Sequence, residues 1–473
     1  MRKITQRNLV LLSLGFIFVF IIVLDRNFSN YSLINYKDFN GGIIPNKLKT
    51  SDYLELDPFI IRDGGIGPSD YTWAGAASQP WCSGGGTKNN PYIISNIIIN
   101  GQTQDLSCIR IATSTVFFKI EDCIFYNSRH VGYAGIMLSH VLNGDIVNNK
   151  CFSNTVGIRI EDSGNINITN NIITDNEYGI MMFDTSRVDI LFNNASNNDY
   201  GSGIRVSNGD SYNISGNIAN NNHYGLSVGN SDNILMENNY AKDNYYGVGI
   251  YSTFDSALIN NTVLNSYTGI DFMHSDNNII NYCDVYNSEG DVLDMYESSN
   301  NNFSFNKFTH NNWGLDLTRC HGNKFEQNEI ASNLNYGISL FGGNMNTFVQ
   351  NEIFNNDQGI YLYSECQLNR VYRNIFKANG VNAKDNGQSN YWDNGTLGNY
   401  WDDYIGVDAN NDGIGDSPYD ISGSAGSKDH YPIWSDPPLP PIPGYNLFFL
   451  LGILSIVAFI IYIKNKKSSR SIC

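Results

Sequence analysis

Charge is scarce in this sequence. Charged residues make up only 16% of the 473, and positive charge is the rarer sign, with 29 Lys and Arg against 46 Asp and Glu. Much of that positive charge gathers at the ends, as Arg2, Lys3 and Arg7 and as Lys464, Lys466, Lys467 and Arg470. Setting those seven aside from a net charge of −17 leaves −24 for residues 8–463. So acidic a stretch has no basic face for phosphates, which excludes nucleic acid as a partner and favours cations instead. Proline is scarce too, at 12, and the 8 cysteines show no CxxC spacing, which excludes the common zinc and redox motifs. Scarce charge does not mean disorder here, because 41% of residues are hydrophobic and 13% aromatic. Asn supplies the polarity in place of Lys and Glu, and with 44 Gly it implies a chain full of tight turns. Length alone would suggest two or three domains, but this composition calls first for a search for repeats.

Both ends carry membrane signals. Leu9 to Leu24 is an apolar run of 16 residues behind the N-terminal basic cluster. As a helix it spans about 24 Å, short of the roughly 30 Å hydrocarbon core, which fits a secretory signal. Val23-Leu24-Asp25-Arg26-Asn27 has no small-x-small cleavage site, so residues 1–24 read equally as a signal peptide or an uncleaved signal anchor, followed by a linker at 25–51. At the other end a proline-rich spacer (435–444) precedes an apolar stretch at 445–463 and a basic tail at 464–473. That order describes a C-terminal transmembrane helix with the bulk of the chain outside the cell. Cys82, Cys108, Cys123 and Cys151 cluster in the first third, and in an exported chain are expected to be able to form disulfides.

The middle is periodic. A Gly-apolar-x-apolar motif begins at Gly135, Gly157, Gly179, Gly203, Gly225, Gly247, Gly269, Gly314, Gly337, Gly359 and Gly380, with Val292 standing in for the skipped turn. The steps are mostly 22 residues. A second column precedes it: Asn149, Asn171, Asn194, Asn217, Asn239, Asn261, Cys283, Asn306, Asn328, Asn351 and Asn374. Each unit holds two or three short alternating segments, too short for helical repeats of 33 or more residues. The pattern predicts an all-β fold, a single parallel β-helix solenoid of about twelve turns rising ~4.8 Å each, with the Asn column as a hydrogen-bonded ladder. Ile180 and Met182 should point inward and Met181 outward. Asn-x-Ser/Thr occurs at several sites, and Asn194, placed in the ladder, should be inaccessible to a glycan. Residues 52–106 are expected to form an N-terminal cap and first turn, 107–380 the β-helix, and 381–434 a C-terminal cap using Trp392, Trp401 and Trp434.

These repeats, with Gly84-Gly-Gly-Thr, Asn90-Pro-Tyr-Ile-Ile, Gly398-Asn-Tyr-Trp-Asp-Asp-Tyr and Tyr431-Pro-Ile-Trp, resemble the right-handed parallel β-helix repeat proteins, including the NosD-like group on archaeal surfaces. The Pro-Gly-Tyr, apolar helix and basic end are similar to archaeal C-terminal sorting tails. The resemblance implies the handedness and an extracellular location. It implies no single activity, because the fold hosts lyases, hydrolases, epimerases and non-catalytic surface proteins. Copper handling is implied only by the NosD likeness. The dispersed His, with His310 and Cys320-His321 the nearest to a group, are a poor copper set.

Two places could carry chemistry. The outward position two after the Gly reads Met137, Arg159, Met181, Arg205, Ser227, Gly249, Asp271, Asp294, Asp316, Ser339, Tyr361. Three consecutive turns thus present Asp, at about 5 Å spacing. The next outward column adds Tyr251, Tyr296, Phe341 and Tyr363, and with Tyr361 these aromatics offer flat faces to sugar rings beside carboxylate acceptors. The first expectation is a non-catalytic surface protein that contacts polysaccharide on this strip. The alternative is a polysaccharide lyase or glycoside hydrolase using Asp271, Asp294, Asp316 and Arg319, as resembling β-helix enzymes use Asp pairs or Asp-bound calcium with a basic residue. Gly269-Ile-Asp-Phe-Met-His274 is only partly similar to the Tyr-Gly-Phe-Asp-Pro-His motif of alginate epimerases. A competing reading makes the Asp merely solvated. The second place is Asp408-Ala-Asn410-Asn-Asp412-Gly-Ile-Gly-Asp416, which matches EF-hand positions 1, 3, 5, 6 and 9 but has Tyr419 at position 12. Asp408, Asn410, Asp412 and Asp416 are the expected ligands of a structural calcium ion.

Overall fold

The structure is a computed structural model that describes residues 53–435, apart from residues 66, 68, 104 and 199. The signal or anchor at 1–24, the linker at 25–51, the transmembrane stretch and the basic tail lie outside the described residues. Among the described residues no helix is long and apolar enough to cross a membrane.

The chain winds as one parallel β-solenoid of about 14 turns. A typical turn holds three strands, as in Thr268–Met273, Ile279–Asn281 and Asp284–Tyr286. Each strand pairs in parallel with its counterpart one turn on, so Ile270 faces Leu293, Asp271 faces Asp294 and Phe272 faces Met295. Alternation sends every second side chain inward. Ile180 and Met182 are fully buried, while Met181 lies on the outer face, half-buried. Inside, like stacks on like: Phe303, Phe325 and Phe348 lie nearly parallel with centroids 4.7 and 5.1 Å apart. The two turns beyond the expected twelve come chiefly from the N-terminal region. There Leu54–Leu56 pairs with Ile97–Ile99 and Phe59–Arg62 pairs with the 109–112 strand, without any Gly motif to reveal them.

The turns explain the Asn content. The residue before each ladder position adopts a left-handed backbone, as at Asn148, Asn170, Asn238 and Asn260, where Asn is tolerated best among residues with a side chain. The ladder residue then donates its backbone N–H and its Nδ2 to the side-chain oxygen of the next turn. Asn239 does so to Asn261 at 3.0 Å by both routes, and its Nδ2 also reaches the Ile214 carbonyl at 2.7 Å. One position departs from expectation. The ladder takes Asn193, not Asn194: Phe192 supplies the left-handed residue, and Asn193 bonds Asn217. Asn194 is only half-buried and bonds Ser196 locally. Cys283 fills its slot with its backbone N–H still donating to Asn306.

Two further ladders run beside the first, one through Asn154, Asn176, Asn198, Asn222 and Asn244 and again from Asn311 to Asn379, the other from Asn278 to Asn390. Their side-chain-to-side-chain bonds all run toward the C-terminal end. All three stop on carboxylates, groups that accept and need not donate onward. Asn399 gives its N–H to Asp429, Asn390 gives its amide to Asp385, and Asn382 spans Asp402 and Asp403.

The ends are covered by aromatic rings, as an open solenoid requires. A short helix, Trp73–Ala77, is capped by Thr72, and Trp73 stacks on Tyr92 at 4.8 Å. At the far end Trp401 is sandwiched between Phe376 and Tyr419, and Trp392 is buried beside it. Trp434 stays 41% exposed at the margin. The seven described cysteines are all buried and free, so no disulfide joins Cys82, Cys108, Cys123 and Cys151. The alternation that turns them inward makes them core residues, and Cys123 occupies an Asn-ladder slot.

Candidate functional site

The outward column forms in the expected register. Met137, Arg159, Met181, Arg205, Ser227, Gly249, Asp271, Asp294, Asp316, Ser339 and Tyr361 are successive partners across the stack, and Lys384 extends it. The three aspartates therefore sit on adjacent turns. A fourth joins them: Asp291, at the start of the strand that carries Asp294. Sequence reasoning missed it because it stands just before the Gly column, a position not followed as a column of its own. Reading that column would have found it with Tyr224, Tyr246, Trp313 and Tyr336, which share its register.

Aromatic rings border the cluster without lining it turn for turn. On the turns before it Tyr224 and Tyr246 stack at 4.6 Å and Tyr251 stands on the other side of the column. Beside the aspartates themselves the bordering residues are Thr268, Asp291 and Trp313 on one side and Met273, Tyr296 and Thr318 on the other. Tyr251 folds back over the central column and its hydroxyl donates to Asp271 Oδ2. Gly249 makes that possible, because a Cβ there would lie 2.6 Å from the Tyr251 ring. Under this cover Asp271 is 3% exposed, and its Oδ1 is buried without a hydrogen-bond partner among the described residues.

Among the described residues, none of the four carboxyl groups forms an ion pair, and this shows in their protonation. Burial first, then Asp316 and Asp294, pushes Asp291 up to about 7. Burial, then Asp271 and Asp316, pushes Asp294 up to about 6. Burial also raises Asp271 and Asp316, against the bonds they accept from Tyr251 and Ser339. These are not the properties of solvated surface aspartates, which would stay near the ordinary value. Tyr246 is raised by burial and then by its neighbours, Asp271 and Asp294 among them, which ties its ring to the cluster.

The other expected residues are divided. Arg319 lies in the turn beyond the strand and is engaged by Glu297 at 3.0 Å and the Tyr296 hydroxyl at 3.1 Å, not by the aspartates. Phe341 is exposed. Tyr361 and Tyr363 stack at 3.9 Å at the C-terminal end of the strip, where Lys384 lies 4.6 Å over the Tyr361 ring. In the 408–416 loop the acidic side chains serve the loop's own backbone. Asp408 accepts from the N–H of Asp412 and Gly413, Asp412 from Ile414, and Asp416 from Ala409. Among the described residues, no three His, Cys, Asp or Glu converge as a metal site.

Comparison with known proteins agrees with the architecture. The family described as periplasmic copper-binding protein (NosD) matches residues 193–358 and 259–406, and the family described as right handed beta helix region matches 107–263. These matches support a right-handed β-helix repeat family for the parallel solenoid that the register shows. A probable ABC transporter binding protein NosD of Stutzerimonas stutzeri is 40% identical over 63 residues, which are 13% of this chain and only 14% of that protein. Among solved structures, the mannuronan C-5 epimerase AlgE6 A-module of Azotobacter vinelandii aligns at 13% identity and a TM-score of 0.47, over 61% of this chain and 90% of its own. The Dettilon tailspike protein aligns at 14% identity and a TM-score of 0.37, over 62% and 59%. The periplasmic alginate epimerase AlgG aligns at 13% and 0.36, over 63% and 77%.

Proposed function

We propose that this chain is an extracellular β-helix surface protein, held by its terminal apolar segments, that binds polysaccharide along the strip of Asp271, Asp294 and Asp316 and the flanking tyrosines. One observation carries the reading: carboxyl groups on three adjacent turns, in register, with the aromatic rings of Trp313 and Tyr296 beside them and those of Tyr246 and Tyr251 on the turn before. Such a strip repeats with the solenoid, as sugars repeat along a polymer. Rings offer apolar faces and carboxyl groups accept from hydroxyls. The NosD match, described as periplasmic, supports a place outside the cytoplasm. The 408–416 loop is proposed as a calcium site of structural role. Copper handling rests on the NosD description alone.

A second reading is favoured by one fact. Asp294 near 6 and Asp291 near 7 beside neighbouring carboxyls form a set in which one group is protonated while another is ionised near neutral pH, as acid–base hydrolysis needs. A polysaccharide panel, with calcium or EDTA, scored for binding, unsaturated products and new reducing ends, separates the two. Binding without products is expected. Products that vanish in Asp294→Ala would make the protein an enzyme, and neither binding nor products would leave it a structural rod.

A further inference from the structure

The strip is specific about charge. Four carboxyl groups, of Asp271, Asp291, Asp294 and Asp316, lie on one face of adjacent turns with no cation among the described residues paired to any of them, while Arg319, just beyond the strand that carries Asp316, is held by Glu297. Asp271 adds an independent sign of a missing partner: its side chain is 3% exposed, and Oδ1 accepts nothing from the described residues although Oδ2 is taken by Tyr251. A buried acceptor left unmatched is costly, so its natural complement is a donor brought by a ligand that displaces the Tyr251 cover. Unpaired carboxyls repel anions, which excludes uronate and sulfated polymers at neutral pH. Aromatic rings beside carboxylates, here Tyr246, Tyr251 and Trp313, are the setting in which organic ammonium groups bind, by attraction to ring faces and to negative charge together, as the chain's own Arg319 already lies over the Tyr296 ring.

From this juxtaposition we infer that the ligand is a cationic amino-sugar polymer, whose ammonium groups lie along the Asp271–Asp294–Asp316 column with its rings against the flanking tyrosines. The inference rests on the glycan-binding reading and narrows it. It is tested on the full chain by calorimetric titration at neutral pH with a glucosamine hexamer, an N-acetylglucosamine hexamer of equal length, and spermine. The glucosamine hexamer is expected to bind at least about tenfold more tightly than either of the others. In Asp271→Asn/Asp294→Asn, which keeps shape and removes charge, that preference should collapse while the unfolding midpoint does not fall. Equal or tighter binding of the acetylated hexamer, or a preference that survives the double substitution, overturns the inference and leaves glycan binding standing. Failure of both hexamers, or binding of spermine alone, overturns the inference, while the glycan-binding reading falls only if the whole polysaccharide panel also fails.

Discussion

Replacing Asp294 by Asn should make the protein more stable at neutral pH and hardly change it in acid. The Asp294 carboxyl titrates near 6 instead of its ordinary 3.8. Between those values the folded chain holds a proton that the unfolded chain has lost, so stability falls as pH rises through the window, and the loss is complete above about 6. A carboxyl displaced that far favours its protonated form by about 3 kcal/mol. The group is only half-buried, so solvent screening reduces this to about 1–2 kcal/mol. Asp291 acts in the same sense with a window reaching about 7, and removing the Asp294 charge also relieves Asp291. Urea unfolding at pH 3, below both values, and at pH 7.5 measures the effect. The variant should gain about 1–2 kcal/mol at the higher pH and almost nothing at the lower. Equal stability at pH 7.5 would mean that the aspartates are ordinary solvated residues, and the case for a site would fall with it.

Other substitutions test the frame that holds the strip. Asn193→Ala removes four side-chain hydrogen bonds, to Asn171, Ile168 and Asn217, and should cost about 3–5 kcal/mol, while Asn194→Ala should cost under about 1, compared by urea midpoint. Asp429→Asn puts an NH2 group among the N–H donors of Asn399, Trp401 and Tyr431, and should cost about 2–4 kcal/mol, with Trp401 fluorescence reporting loosening of the cap first. The described thiols are buried, with Cys108 and Cys123 pushed up to about 12, so a thiol reagent should reach them only on unfolding, and free-thiol counts should not change on reduction.

Much of this was legible in the sequence, for a physical reason. A solenoid is nearly one-dimensional, so a residue's spatial neighbours lie one period away, and reading every 22nd residue amounts to reading the surface. That is how Asp271, Asp294 and Asp316 were placed together. The same method failed where the period slips. The 24-residue turn holds adjacent Asn193 and Asn194, and only the left-handed Phe192 distinguishes them. The N-terminal turns lack the Gly signal altogether. Arg319 follows directly on the strand that carries Asp316, but it lies in the turn and pairs with Glu297, and side-chain direction beyond a strand end is not periodic. The fold of Tyr251 over Gly249, and hence the burial of Asp271, depends on a contact within one strand that the column reading did not weigh.

The most direct test of the central claim is polysaccharide binding by the full chain, compared between two tyrosine variants. Tyr246→Ala lies in the strip beside the aspartates, whereas Tyr282→Ala removes an exposed ring outside it that stacks on Phe305. If the strip is the binding site, a polysaccharide that binds the unaltered protein should bind Tyr246→Ala at least about tenfold more weakly and Tyr282→Ala equally well. Equal binding by both variants, or no binding by the unaltered protein, would contradict the account.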